Sequence, residues 1–74
     1  MDYEKFNNIG KRLKKLRQFH GLKQDRIARE IGLSQTAYSK IETGDTSLTV
    51  TRAAAIAKVF GMTLGELLDG DEHF

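Results

Sequence analysis

The sequence predicts an all-α domain of five short helices. Three observations carry that reading: apolar residues recur at intervals of three and four, single glycines separate the apolar segments, and no proline interrupts them. Strand propensity is confined to Leu48 to Thr51. Neither an internal repeat nor a low-complexity stretch is present. Seventy-four residues leave room for one core.

Phe6, Ile9, Leu13, Leu16 and Phe19 form the stripe of a first helix, with Asn7 or Asn8 as its cap and Gly21 as its stop. Gln24 to Ile31 is a second, short helix with Ile27, Ala28 and Ile31 inward, and Gly32 supplies the positive φ of a tight turn. Ser34 caps a third helix in which Ala37, Tyr38 and Ile41 point inward, and Gly44 ends it. Asp45 to Ser47 reads as loop. Thr49 caps a fourth helix running through Phe60, with Ala53, Ile56, Ala57 and Phe60 inward and a run of three alanines of high helix propensity. Gly61 stops it. Thr63 and Glu66 form a Thr-x-x-Glu capping box for a fifth helix, Leu64 to Leu68, closed by Gly70. Residues 1–7 are then an N-terminal extension, 8–70 the domain, and 71–74 an acidic tail.

Composition removes several classes of function. With 39% hydrophobic and 30% charged residues and a formal charge of +2, the chain is too apolar and too balanced for a disordered tail. No apolar run approaches the roughly 18 residues of a membrane span, and the acidic, polar start MDYEKFNN is unlike a signal peptide, so a cytoplasmic protein is expected. The absence of cysteine removes disulfides and thiolate metal sites. His20 and His73 are not at metal-ligand spacing, and His20 reads better as a helix-end cation. Glu30 and Glu42 sit in charge-rich helical surroundings and read as ion-pair partners. The seven glycines fall singly at helix ends, so no phosphate loop is present. No nucleophile constellation is evident; the expectation is a non-enzyme without metal or cofactor.

The charge is polarised. Residues 1–20 hold six basic side chains against two acidic ones, while residues 45–74 hold two against five. A basic front suggests a polyanion partner, although a solvated Lys-rich face gives the same pattern.

The second and third helices are joined by Gly32-Leu33-Ser34, a turn short enough to force a steep crossing, and the crossing needs a small residue such as Ala28. That arrangement is a helix-turn-helix. Residues 24–41 resemble the signature of the Cro and phage-repressor-like regulators, also called the xenobiotic-response-element (XRE) family. IGKRLKKLRQFHGLKQDRIAREIGLSQTAYSKIETG resembles the family's first three helices and IAKVFGMTLGELL its fourth and fifth, so the resemblance spans about residues 8–70. It implies a lambda-repressor-like fold and a small transcriptional regulator that binds a specific duplex, with residues 34–43 as the recognition helix in the major groove.

Position by position, the resemblance implies base reading by Gln35, Thr36, Ser39 and Lys40. It implies phosphate contacts from Gln24 and Lys23 at the start of the second helix, from Thr43, and from the loop hydroxyl of Thr46. Ala28, Gly32 and Leu33 are the packing and turn residues. Arg17 and Glu42 occupy positions that pair as a structural salt bridge in several members; the competing reading of Arg17 is a phosphate contact or a solvated cation. Asp45 departs from the basic residue common there and puts contacts at that point in doubt. Tyr38 exceeds the usual Val or Ile, and its hydroxyl needs an outlet or a partner.

The family usually binds as a two-fold dimer on an inverted-repeat operator. Leu64, Leu67, Leu68 and Phe74, with Phe60, are candidates for the dimer surface, unless the leucines only close the core. All of the chain reads as DNA-binding domain, so a signal is expected to act through concentration, a partner or dimerisation. The competing reading is a protein-interaction module, such as an antitoxin holding a partner protein. Phage, restriction–modification and toxin–antitoxin contexts all suit the chain.

Overall fold

The computed structural model describes residues 9–69, so the N-terminal extension, the expected caps Asn7 and Asn8, Phe6, and the tail with His73 and Phe74 lie outside the described residues. Five helices follow in order: α1 (Ile9–Phe19), α2 (Gln24–Glu30), α3 (Gln35–Thr43), α4 (Val50–Val59) and α5 (Leu64–Asp69). Among the described residues there is no strand; the β-prone Leu48 to Thr51 is a loop residue, a helix cap and the first residues of α4.

Local signals place the helix ends. The Ser34 hydroxyl accepts from Ala37 N at 3.1 Å and the Thr49 hydroxyl from Arg52 N at 3.1 Å, each satisfying a donor with no partner inside its helix. Thr63 and Glu66 close the capping box in both directions, at 2.8 and 3.0 Å. The turn between α2 and α3 is a Schellman motif: Gly32 at φ +75° lets Gly32 N reach Arg29 O and Leu33 N reach Ala28 O at 2.9 Å. Ser34 then opens α3 at once. This is what fixes the steep α2–α3 crossing, with Ala28 buried where the helices meet. Two exposed i,i+4 pairs on α2, Arg26–Glu30 at 3.6 Å and Asp25–Arg29 at 3.9 Å, add a few tenths of a kcal/mol each.

The core lies between all five helices, with Leu13 of α1, Ile27 of α2, Tyr38 of α3, Ile56 of α4 and Leu67 of α5 wholly buried. One member of the expected α1 stripe does not belong to it. Phe19 is 62% exposed. At about 100° per residue, two successive steps of three turn it roughly 80° away from Ile9, whereas His20 returns to the inner direction. His20 accordingly stacks on Phe60, ring centroids 5.1 Å apart, and Phe19 meets His20 edge-on at 5.5 Å.

Three arginines turn inward. Arg12 Nε donates to Leu67 O at 2.7 Å and ties α1 to α5; Arg52 donates to Ile31 O at 2.7 Å and ties α4 to the α2–α3 turn; Arg17 donates to Leu22 O at 3.0 Å. Each satisfies a carbonyl at or beyond a helix C-terminus, where a cation also suits the dipole. The basic front counted from the sequence is therefore smaller on the surface than its charge suggests, because Arg12 and Arg17 are committed to internal contacts.

Tyr38 is 0% exposed, and its hydroxyl meets hydrogen-bond geometry with no described residue. Burial, with the Glu42 carboxylate beside it, pushes the phenol far above its ordinary range, so it stays protonated. Tyr38→Phe is expected to raise stability by up to about 1 kcal/mol, since it removes a buried hydroxyl that meets hydrogen-bond geometry with no described residue. Denaturant unfolding checks this; a loss of similar size would mean that the hydroxyl is bonded in solution.

Candidate nucleic-acid interface

Helix α3 is packed along one side only. Tyr38, Ile41 and Glu42 are buried against α1 and α2, leaving Gln35, Thr36 and Lys40 exposed and Ser39 half-buried on the opposite side. The exposed side stands as a ridge between two concavities. One, of about 500 Å³, runs between α3 and the start of α4 past Ser34, Ala37, Ile41, Thr46, Ser47 and Thr49. The other, of about 290 Å³, is lined by Gln24, Gln35, Ser39, Thr43 and Asp45. Thr36 and Lys40, one turn apart, line both and form the crest. The four expected base-reading residues therefore share one surface, with Gln24 and Thr46 on opposite flanks. Lys23, exposed, immediately precedes α2.

Beneath the ridge is a charged network. Arg17 meets Glu42 through two bonds, Nε to Oε2 at 2.6 Å and Nη2 to Oε1 at 3.1 Å, with side-chain exposures of 11% and 3%. This two-point pairing fixes the angle between α1 and the last turn of α3. Burial alone would raise the Glu42 carboxyl, but hydrogen bonds from Arg17 and Gln24 outweigh it and hold the group below its ordinary value. The Glu42 bond raises Arg17 against the opposing effect of burial.

Two expected phosphate contacts are engaged within the protein. Gln24 Nε2 donates to Glu42 Oε1 at 3.0 Å, which orients its amide and leaves the second amide hydrogen free to point outward. Thr43 donates its only hydroxyl proton within the chain, to Asp45 Oδ2 at 2.9 Å, with Lys40 O at 3.2 Å as the other acceptor. A phosphate contact from this exposed hydroxyl would replace its bond to Asp45. The expected dimer surface needs correction. Leu67 is 0% exposed and Phe60 is buried, so both close the core; only Leu64 and Leu68 are part-exposed, and Phe74 lies outside the described residues.

Sequence reasoning missed Gly10, Arg12 and Arg52. Gly10 is buried in α1, and a Cβ there would overlap the Glu42 carbonyl oxygen and lie 2.7 Å from that of Ile41. Nothing in the pattern of residues 9–19 signals a contact with residues more than thirty positions away. Among the described residues, no three His, Cys, Asp or Glu side chains gather to hold a metal, and no helix is long and apolar enough to cross a membrane.

A helix-turn-helix family model matches residues 13–67. The transcriptional regulator PuuR of Escherichia coli is 38% identical over 63 residues, covering 85% of this chain and 34% of PuuR. The transcriptional activator BcrR of Enterococcus faecalis is 36% identical over 64 residues, covering 86% of this chain and 31% of BcrR. The chain thus spans about a third of the length of these relatives. Among solved structures, the P22 c2 repressor in complex with a synthetic operator superposes with a TM-score of 0.74 at 25% identity, over 85% of this chain and 96% of that one. A Vibrio cholerae transcriptional regulator superposes at 0.78 and 28% identity, over 96% of this chain and 40% of that one.

Proposed function

Because this chain belongs to the helix-turn-helix family of transcriptional regulators, we propose that it binds a specific duplex DNA sequence and regulates transcription, with α3 in the major groove. The observation that carries the reading is the ridge: an unpacked helix face of Gln35, Thr36, Ser39 and Lys40 raised between two concavities. A major groove is about 12 Å wide and admits one helix, and the two flanking concavities are where its sugar–phosphate walls would lie. Gln35 pairs with adenine N6/N7, Thr36 presents its methyl to thymine, Lys40 reaches guanine O6/N7, and Ser39 bonds either partner. Lys23, Gln24 and Thr46 position the protein on phosphates. The P22 repressor, whose structure is of an operator complex, supports the same use of this fold here. The role needs no catalytic step and no cofactor, and it is exercised in the cytoplasm. Two copies bind an inverted repeat with half-sites roughly 34–36 Å apart, joined through the part-exposed Leu64 and Leu68.

Selection from a random duplex library at physiological salt tests the reading. An enriched inverted repeat is the expected result. A single enriched half-site would remove the dimer, and the absence of enrichment would move the function to protein binding. On the selected site, Gln35→Ala or Lys40→Ala should relax preference at one base position, costing about 1–3 kcal/mol against the matched base only. Lys23→Ala should weaken every duplex alike and flatten the log–log salt slope by about 0.9. Measured binding isotherms at several salt concentrations separate the two behaviours.

A further inference from the structure

We infer that Asp45 is an affinity-limiting residue of the duplex-binding face, placed to repel the phosphate wall beside α3. The inference rests on the reading of α3 as the duplex-binding helix and deepens it. Each other carboxylate placed among the described residues has a structural partner. Asp25 and Glu30 pair with arginines along α2, Glu42 is held by Arg17, and Glu66 closes the capping box. Asp45 is exposed, and its one side-chain partner among the described residues is the Thr43 hydroxyl.

That partner holds the carboxylate in place. Asp45 N and Thr46 N both turn back to Lys40 O, at 2.9 and 3.2 Å, so the backbone after Gly44 is fixed against the last turn of α3. The Thr43 bond then sets the side chain on the concavity shared with Gln24 and Ser39. A carboxylate at a helix C-terminus adds negative charge to the negative end of the dipole, so this placement works against helix stability. In a helix-turn-helix the N-terminal part of the recognition helix meets the bases, which leaves its C-terminal end, and Asp45, nearer the backbone. A fixed negative charge there opposes the phosphate attraction common to all duplexes. A larger share of the remaining affinity then comes from Gln35, Thr36, Ser39 and Lys40, which read sequence.

The test uses the full chain, its selected duplex and a scrambled duplex of equal length. Asp45→Asn should tighten binding to both by a similar factor, about three- to tenfold at low salt and less as salt screens the charge. Asp45→Lys should tighten both further and steepen the salt slope by about 0.9, one additional phosphate neutralised. Thr43→Val frees the carboxylate to swing away, so the gain from Asp45→Asn should shrink in that background. Asp45→Asn weakening the selected duplex and altering preference at one base would overturn the inference, because Asp45 would then be reading a base. Unchanged affinity for both duplexes would overturn it too. If neither the wild type nor Asp45→Lys retained any duplex, duplex binding itself would be wrong, and the inference would fall with it.

Discussion

Alanine at position 42 is expected to destabilise the domain by about 3–5 kcal/mol. The Glu42 side chain is 3% exposed and accepts three hydrogen bonds, two from Arg17 and one from Gln24. Its removal leaves the Arg17 side chain, 11% exposed, with Leu22 O as its remaining bonded partner in the network. The cost is that of a buried charge left uncompensated, and it exceeds the value of the pair itself. A domain of this size has a total stability near the lower end of about 5–15 kcal/mol. The variant should therefore melt roughly 15–30 °C below the wild type. Replacing both members by apolar residues, Arg17→Met with Glu42→Leu, should recover most of the loss, because no unpaired charge remains. A double-mutant cycle followed by urea unfolding measures the coupling. A coupling energy near zero would mean that the pair contributes nothing to the domain's stability.

The same pair sets the acid limb. Glu42 has its folded pKa held below the ordinary 4.5. Its contribution is therefore fully present above about pH 4.5 and is lost as pH falls through the lower folded value. Glu42→Gln should be less stable than wild type near neutrality and should lose less further stability on acidification. Thermal melts between neutral pH and pH 3 report the difference. A variant curve parallel to that of the wild type would place the acid-sensitive group elsewhere.

Local chemistry was legible in the sequence, and long-range geometry was not. Ser34, Thr49 and the Thr63–Glu66 box act within four residues, so their spacing alone predicts the bonds they make. Gly32 was legible because a stop between two short apolar segments needs a positive φ. The side of α3 facing outward followed from which residues had to be buried. Charge was harder to read, since a basic residue looks the same in sequence whether it faces a phosphate or a carbonyl. Arg12 reaches a carbonyl 55 residues away and Arg52 one 21 residues away. The phosphate contact expected of Thr43 comes from the resemblance alone, which carries no information on the bond its hydroxyl makes to the acid two residues on. Phe19 was misplaced because a stripe of threes and fours drifts around the helix over its last turn.

Gly10 and Gly65 make the sharpest contrast, because the same substitution should have opposite signs at the two sites. Each is the second residue of its helix, α1 and α5. Helix propensity alone favours alanine over glycine at both, by up to about 1 kcal/mol. At Gly65 an added Cβ meets nothing closer than the Thr63 hydroxyl at 3.9 Å, so Gly65→Ala should stabilise by roughly 0.5–1 kcal/mol. At Gly10 the Cβ would overlap the Glu42 carbonyl oxygen and press on the Ile41 carbonyl. Both are backbone atoms of the last turn of α3, and no side-chain rotation relieves the clash. Helix α1 must then move off α3, which opens the packing around Leu13 and lengthens the Arg17–Glu42 bonds. The expected cost is about 3 kcal/mol or more, against the sign set by propensity. Because the displaced contact also fixes α3 against the body of the domain, duplex affinity should fall under conditions where Gly10→Ala is still folded. Lys23→Ala should leave stability within about 0.5 kcal/mol of wild type, which separates loss of a surface contact from loss of α3 placement. Chemical denaturation of the two glycine variants side by side decides the matter. A gain in stability at Gly10 would mean that the close approach of α1 to α3 is absent in solution.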